Sequence, residues 1–426
     1  MDASPTTPGP ATPAAHGPCA PAVPGPAIPG LSAPAVPGPS APAETETEAD
    51  ATLTAAQRAA LRHVRATARR DRPDALASIA RVLAGSGVCP DPEQLITAIA
   101  RGARVTVNFH PDRLLADGRT VIDALSEVGH YRSQFETGVS GGGLTAFPGG
   151  DRDRWEEALF GGAYQAAGVR PAERPKYGGL DLLGHPDGAC PRFGSCHLRL
   201  RPAVLARTTF CFGDSHLGAA HLGTLDAFEP VLAALLRATD EQGVSLGVAG
   251  MDVATLVRTL LRRPERAAWA PGAAVRALDD YVEAQVHGDV VLTRDVEALV
   301  ADPSFRGTRC GAALVDLADR CGFELRWHDG FVLPVDRVDA DFRGPAIPPL
   351  AARVLAEFGQ PGAVIDAALI GRAAASLVTE PDRWADRGPA AVTHQHLKQL
   401  WHVLVRYGGP HDGEVPGLRL RRALRR

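Results

Sequence analysis

Arg104-Val-Thr-Val-Asn-Phe-His110 marks the point where the character of the chain changes. Val105, Val107 and Phe109 fall on one face, and Thr106, Asn108 and His110 on the other. Strict period-two alternation predicts a strand with one face buried. Upstream, residues 52–102 read as helical. Thr54 and Gln57 make a capping box ahead of Leu61 and Val64, and Leu76, Ile79 and Leu83 recur at helical spacing. Asp91-Pro92 opens a third helix, which Gly102 ends.

Downstream, strand-like pieces recur at 130–138, 176–180, 195–200, 208–212 and 281–287. Helical spacing lies between them, at about 121–129, 151–159, 226–238 and 252–262. Residues 323–333 read as a hairpin turning at Asp329-Gly330. From 341 the apolar spacing is helical again, with a basic end at 419–426. The fold class is therefore α+β. Four regions follow: a leader at 1–50, a helical subdomain at 51–103, a strand-rich domain at 104–340 and a helical region at 341–426.

Bulk properties narrow the function classes. Of the 426 residues, 45 % are hydrophobic, enough for real cores, and the net charge of −4 lacks the basic excess of a nucleic-acid or membrane-surface binder. No apolar run approaches the roughly 20 residues of a membrane span. The start, MDASPTTPGP, has neither the basic head nor the apolar core of a secretory signal, so a cytoplasmic location is expected, with export only by a non-classical route. Thirteen of the 36 prolines fall in the first 42 positions. Such a leader cannot bury enough apolar surface to offset its ordering entropy and is predicted disordered. The seven cysteines are odd in number and form no Cys-x-x-Cys. That spacing predicts reduced thiols, and Cys190, Cys196 and His197 read as buried groups rather than metal ligands.

Four constellations concentrate chemistry. His110-Pro-Asp112-Arg113 delivers opposite charges at a strand end. In Tyr131-Arg132-Ser133-Gln134-Phe135-Glu136, five of six side chains can hydrogen-bond, and the glycines at 141–143 would let a ligand approach the backbone. Strand geometry puts Tyr281, Glu283, Gln285 and His287 on one face, where Glu and Gln two apart could grip a sugar diol. Phe212-Gly-Asp214-Ser-His216 again ends a strand in polar groups. No P-loop, Rossmann fingerprint or His-Glu-x-x-His occurs. The two Gly-x-Ser-x-Gly matches, at Ser140 and Ser245, lack a strand before and a helix after.

The blocks FHPDR (109–113), YRSQFETG (131–138), GGLTAFPGGDRDRWE (142–156), RPKYG (174–178), FGSCHLRLRP (193–202), FGDS (212–215) and YVEAQVHG (281–288) resemble a bacterial family catalogued as a domain of unknown function. That family is associated here with CteC-like ADP-ribosyltransferases, the effector group that modifies a threonine of ubiquitin. The resemblance implies a split antiparallel β-sandwich of ADP-ribosyltransferase type with helical N- and C-terminal flanks, and NAD as substrate. It implies Glu283 as the late-strand catalytic Glu, paired with Asp112 or Asp214. The dinucleotide would be held by His110, Arg113, Tyr131, Arg132, Ser133, Glu136, Tyr177 and Gln285. The Ser-Thr-Ser triplet of one main class of these enzymes is absent, and Ser133 is a partial substitute.

The chemistry this implies is mono-ADP-ribosyl transfer to a protein side chain, a Thr or Ser hydroxyl among the candidates, with release of nicotinamide. A protein acceptor is the expected partner, with neither nucleic acid nor membrane. Two other readings stand beside it. One is a metal-dependent hydrolase or nuclease using the strand-end pairs His110–Asp112, His185–Asp187 and Asp214–His216. The other is a non-catalytic interaction module.

Overall fold

The computed structural model describes residues 52–138, 145–218, 220–262, 277–360 and 362–411. The leader, Ser140 with its glycine run, and the basic end lie outside the described residues. Two helices, α1 (Ala55–Gly85) and α2 (Pro92–Gly102), replace the expected three. Pro73 lies inside α1 without ending it. The buried stripe Ala60, Val64 and Ala68 runs on through Ala75, Ile79 and Leu83, and this packing outweighs the local cost of proline.

The first strand, β1 (Arg104–Phe109), is buried on both faces rather than one. Its polar face is covered and satisfied by the 187–194 loop. Thr106 Oγ1 accepts from Ala189 N at 2.9 Å, and the Asn108 amide donates to Asp187 O at 3.1 Å. After β1 come α3 (Val121–Val128), α4 (Asp151–Phe160), β2 (Lys176–Asp181), β3 (Cys196–Leu200), β4 (Thr208–Phe212) and β5 (Leu222–Thr224). Then follow α5 (Glu229–Gln242), α6 (Val253–Leu261), β6 (Val282–Val286), β7 (Val296–Ala301), α7 (Arg309–Cys321) and β8 (Glu324–Trp327). The chain closes with α8 (Ile347–Phe358), α9 (Ala367–Thr379) and α10 (Ala390–Tyr407).

The eight strands form one sheet in the order β8-β7-β3-β1-β2-β6-β4-β5, antiparallel except for β7–β8. The α+β class stands, and the ladder is continuous instead of falling into two separate sheets. The sheet nevertheless opens at one place. The β1–β2 ladder ends at Thr106–Gly179, whereas β2 pairs with β6 from Lys176 to Gly179. The far end of β1 therefore runs against β3 alone, and the near end of β2 against β6. Gly178 permits this handover, since a Cβ there would sit 2.4 Å from the Thr106 carbonyl oxygen.

Two local readings are corrected. Residues 130–138 are not a strand. His130–Tyr131 pairs briefly with Val290–Val291, and Ser133 then caps the one-turn helix Gln134–Thr137, which Gly138 ends at φ 64°. The Ser-x-x-Glu capping box overrides the polar alternation. Residues 323–333 are not a hairpin either. Strand β8 pairs in parallel with β7 across α7, while Val332 and Leu333 bridge to Gly409 and Ile365. Among the described residues no helix is long and apolar enough to cross a membrane.

Candidate active site

Residues on both sides of the opening between β1 and β2 line a cavity of about 340 Å³. His110 and Arg113 reach it from the end of β1, Tyr131 and Arg132 from the segment after α3, and Tyr177 from β2. Asp214 lines it from the turn after β4, Tyr281 from just before β6, and Glu283 from β6. Residues far apart in sequence thus converge because register brings their strand ends to one break in the sheet.

Glu283 is nearly inaccessible, at 4 % exposure, yet lines the cavity. Its Oε2 accepts from Ser215 N at 3.2 Å and its Oε1 from the Gln285 amide at 2.9 Å. Burial, with Asp214 nearby, pushes its proton affinity up, against the pull of Arg152 and these two donors. Asp214 is shifted the other way. Burial would raise it, but His216 and Arg192 together hold it below the usual carboxylate range. Its Oδ1 lies 2.7 Å from His216 Nδ1, and its Oδ2 lies 3.7 Å from the Arg192 guanidinium. Two carboxylates with opposed proton affinities therefore line one cavity.

The remaining wall sets cations among apolar side chains such as Leu115, Leu125 and Phe193. Arg113 is half-buried, and Arg152 has Nε and Nη1 shielded from solvent with no hydrogen-bond partner. The Arg152 guanidinium lies over the rings of Tyr177, at 4.5 Å, and Trp155, at 5.0 Å. Arg192 also leaves its Nε unpartnered. The last helix, α10, adds Lys398 to the wall, and its His394 lies 3.4 Å from Arg113. Trp401 of the same helix meets the His110 ring edge-on at 5.0 Å. Burial, then Arg113 and His394, push His110 down to about 3, so it is a neutral imidazole.

Four expected site residues lie elsewhere. Asp112 turns away from the cavity and packs against Gly371 of α9, where no side chain would fit. Ser133 is a helix cap: its hydroxyl donates to Pro171 O at 2.7 Å, and Glu136 closes the same capping box by accepting from Ser133 N. Gln285 is wholly buried behind Glu283. The expected diol grip is therefore not formed. Arg152, Arg192 and Lys398 were not expected in the wall. Arg152 sits within the block GGLTAFPGGDRDRWE, whereas nothing local distinguishes Lys398 from any helix-surface lysine.

Among the described residues no three His, Cys, Asp or Glu side chains gather in a metal-holding group. Cys190 lies 3.5 Å from Asn108 Oδ1, and His197 Nδ1 is buried without a partner.

The chain belongs to the family described as a protein of unknown function (DUF3626), whose match covers residues 104–407. The matched span begins at β1 and ends with α10, so it includes the helix that carries Lys398. Comparison with curated proteins gives no match.

Proposed function

We propose that this chain is an NAD-dependent mono-ADP-ribosyltransferase acting on a side-chain hydroxyl of a protein. One observation carries the reading. A carboxylate pair, Glu283 and Asp214, lines a cavity that also holds Arg152, two of whose buried guanidinium nitrogens have no hydrogen-bond partner. A desolvated cation with free N–H groups is costly alone and suits a ligand that brings negative charge, as a pyrophosphate does. The resemblance in sequence blocks points to the same chemistry.

In this reading Arg152 binds the pyrophosphate, with Arg113 and Arg132 adding positive charge to the same cavity, and Tyr131 or Tyr177 packs on a ring of the dinucleotide. Glu283 accepts a ribose hydroxyl and stabilises positive charge at the anomeric carbon as the bond to nicotinamide breaks. Nicotinamide leaves with the bonding electron pair. The acceptor oxygen adds to the anomeric carbon, and its proton passes to His216, whose Nδ1 is held by Asp214.

The test is nicotinamide release by the full-length chain, supplied with NAD and a lysate as acceptor source. Wild type releases nicotinamide and labels an acceptor, and Glu283→Gln does neither. No release by wild type overturns the reading, and equal release by the variant removes Glu283 from its role.

A further inference from the structure

The polar face of β6 does not end at Glu283. Tyr164 O–H lies 2.6 Å from His287 Nδ1, His287 Nε2 lies 3.0 Å from Thr209 Oγ1, and Thr209 Oγ1 lies 2.7 Å from Gln285 Oε1. Gln285 Nε2 then lies 2.9 Å from Glu283 Oε1. All five side chains are almost completely buried, at 4 % exposure or less.

The direction of every bond follows from one end. A carboxylate accepts, so Gln285 donates its N–H and turns its oxygen toward Thr209. Thr209 spends its single proton on that oxygen, so it accepts from His287 Nε2–H. Burial, with Lys176 and Arg207 nearby, keeps the His287 imidazole neutral, so its Nδ1 accepts from Tyr164. Each donor thus points along the chain toward Glu283, and aligned bonds polarise one another.

We propose that Tyr164, His287, Thr209 and Gln285 form a one-way hydrogen-bond chain that orients the Glu283 carboxylate and stabilises its negative charge. These are positioning residues, and the proposal rests on the transferase reading of Glu283. The other groups facing that carboxylate are Tyr281 just before β6, Cys211 and Asp214 from β4 and its turn, Arg152 on α4, Tyr177 on β2, and Cys190. Asp214 works against ionisation and Arg152 favours it. Neither is touched by a change at Thr209.

Thr209→Val keeps shape and breaks the chain at its middle, and Thr209→Ser restores the hydroxyl. Nicotinamide release is followed against pH, and the Glu283 carboxyl carbon is titrated by NMR in full-length protein labelled at glutamate, with Glu283→Gln giving the assignment. In Thr209→Val, kcat falls about tenfold with little change in KM, and the acid limb and the carboxyl titration both move up by about one pH unit. Thr209→Ser returns both to wild type. Tyr164→Phe, which removes one oxygen at the far end, moves the titration the same way by less and serves if Thr209→Val does not fold. A Glu283 titration unchanged in both variants overturns the chain. A shifted titration in a protein that releases no nicotinamide keeps the chain and overturns the transferase.

Discussion

Arg152 lies with its guanidinium 4.5 Å above the Tyr177 ring while two of its buried nitrogens bond nothing. The ring face offsets part of the desolvation of this cation but cannot accept its in-plane N–H groups. In the transferase reading these two nitrogens are the donors that meet the pyrophosphate.

Replacing Arg152 by Gln separates binding from stability. NAD affinity measured by calorimetry falls by about 1.5–3 kcal/mol, the range for hydrogen bonds to a charged group. The thermal midpoint changes little, because relief of the desolvated cation is offset by the lost attraction of Glu283, Glu156 and Asp214. A lower midpoint with unchanged affinity would make Arg152 a structural residue.

Asp112 provides a pH signature away from the cavity. Burial first, with Asp302 and Asp366 adding repulsion, raises its carboxyl to about 7. Between its unfolded value near 4 and about 7, the folded chain binds more protons than the unfolded chain. Its contribution therefore favours folding below pH 4 and is lost as pH rises through 7. Denaturant unfolding of Asp112→Asn at pH 5 and pH 8 differs by less than that of wild type, by up to a few kcal/mol. Identical pH slopes in the two proteins would contradict the raised value.

Much of this architecture was legible in the chain because local and tertiary preferences agreed. Val105, Val107 and Phe109 alternate and are buried, and Glu283 lies on the predicted late strand. Where they disagreed, the local reading failed for identifiable reasons. Alternation at 131–136 suits a strand, but Ser133 and Glu136 complete a capping box, and two satisfied backbone donors decide the matter. Strand β7, Val296-Glu-Ala-Leu-Val-Ala301, has no turn signal before it and was not anticipated. Lys398 reaches the cavity only because α10 lies across the end of β1, a contact more than 280 residues away in sequence. The polar face of β6 was read correctly as a face, but Gln285 and His287 point into a buried network that only the neighbouring strand reveals.

His216 tests the proton path. It is partly exposed at the cavity rim, stacks edge-on with Trp155 at 5.8 Å, and is anchored by Asp214. His216→Gln loses about a hundredfold in transfer to a hydroxyl acceptor, the scale of a general base. Nicotinamide release to water declines much less, since breaking the glycosidic bond needs no base. Radiolabel transfer and nicotinamide release are measured on the same samples, and equal losses in both would argue against the assignment.

Lys398 makes ligand binding depend on pH in a direction that can be stated beforehand. Burial first, then the Arg192 charge, lowers its ammonium to about 8. Between about 8 and the free-lysine value near 10.4 the unfolded chain binds more protons, so this group makes folding more favourable as pH rises through that window. Its effect on an anionic ligand is opposite: the cation is present at pH 7 and disappears above 8, so NAD affinity falls across that interval. Binding at pH 8 therefore draws a proton onto Lys398, visible as a heat that varies with the ionisation enthalpy of the buffer. Lys398→Gln binds more weakly at pH 7, shows no decline from pH 7 to 9, and takes up no proton. A variant that retained both the decline and the proton uptake would place the titrating group elsewhere in the wall.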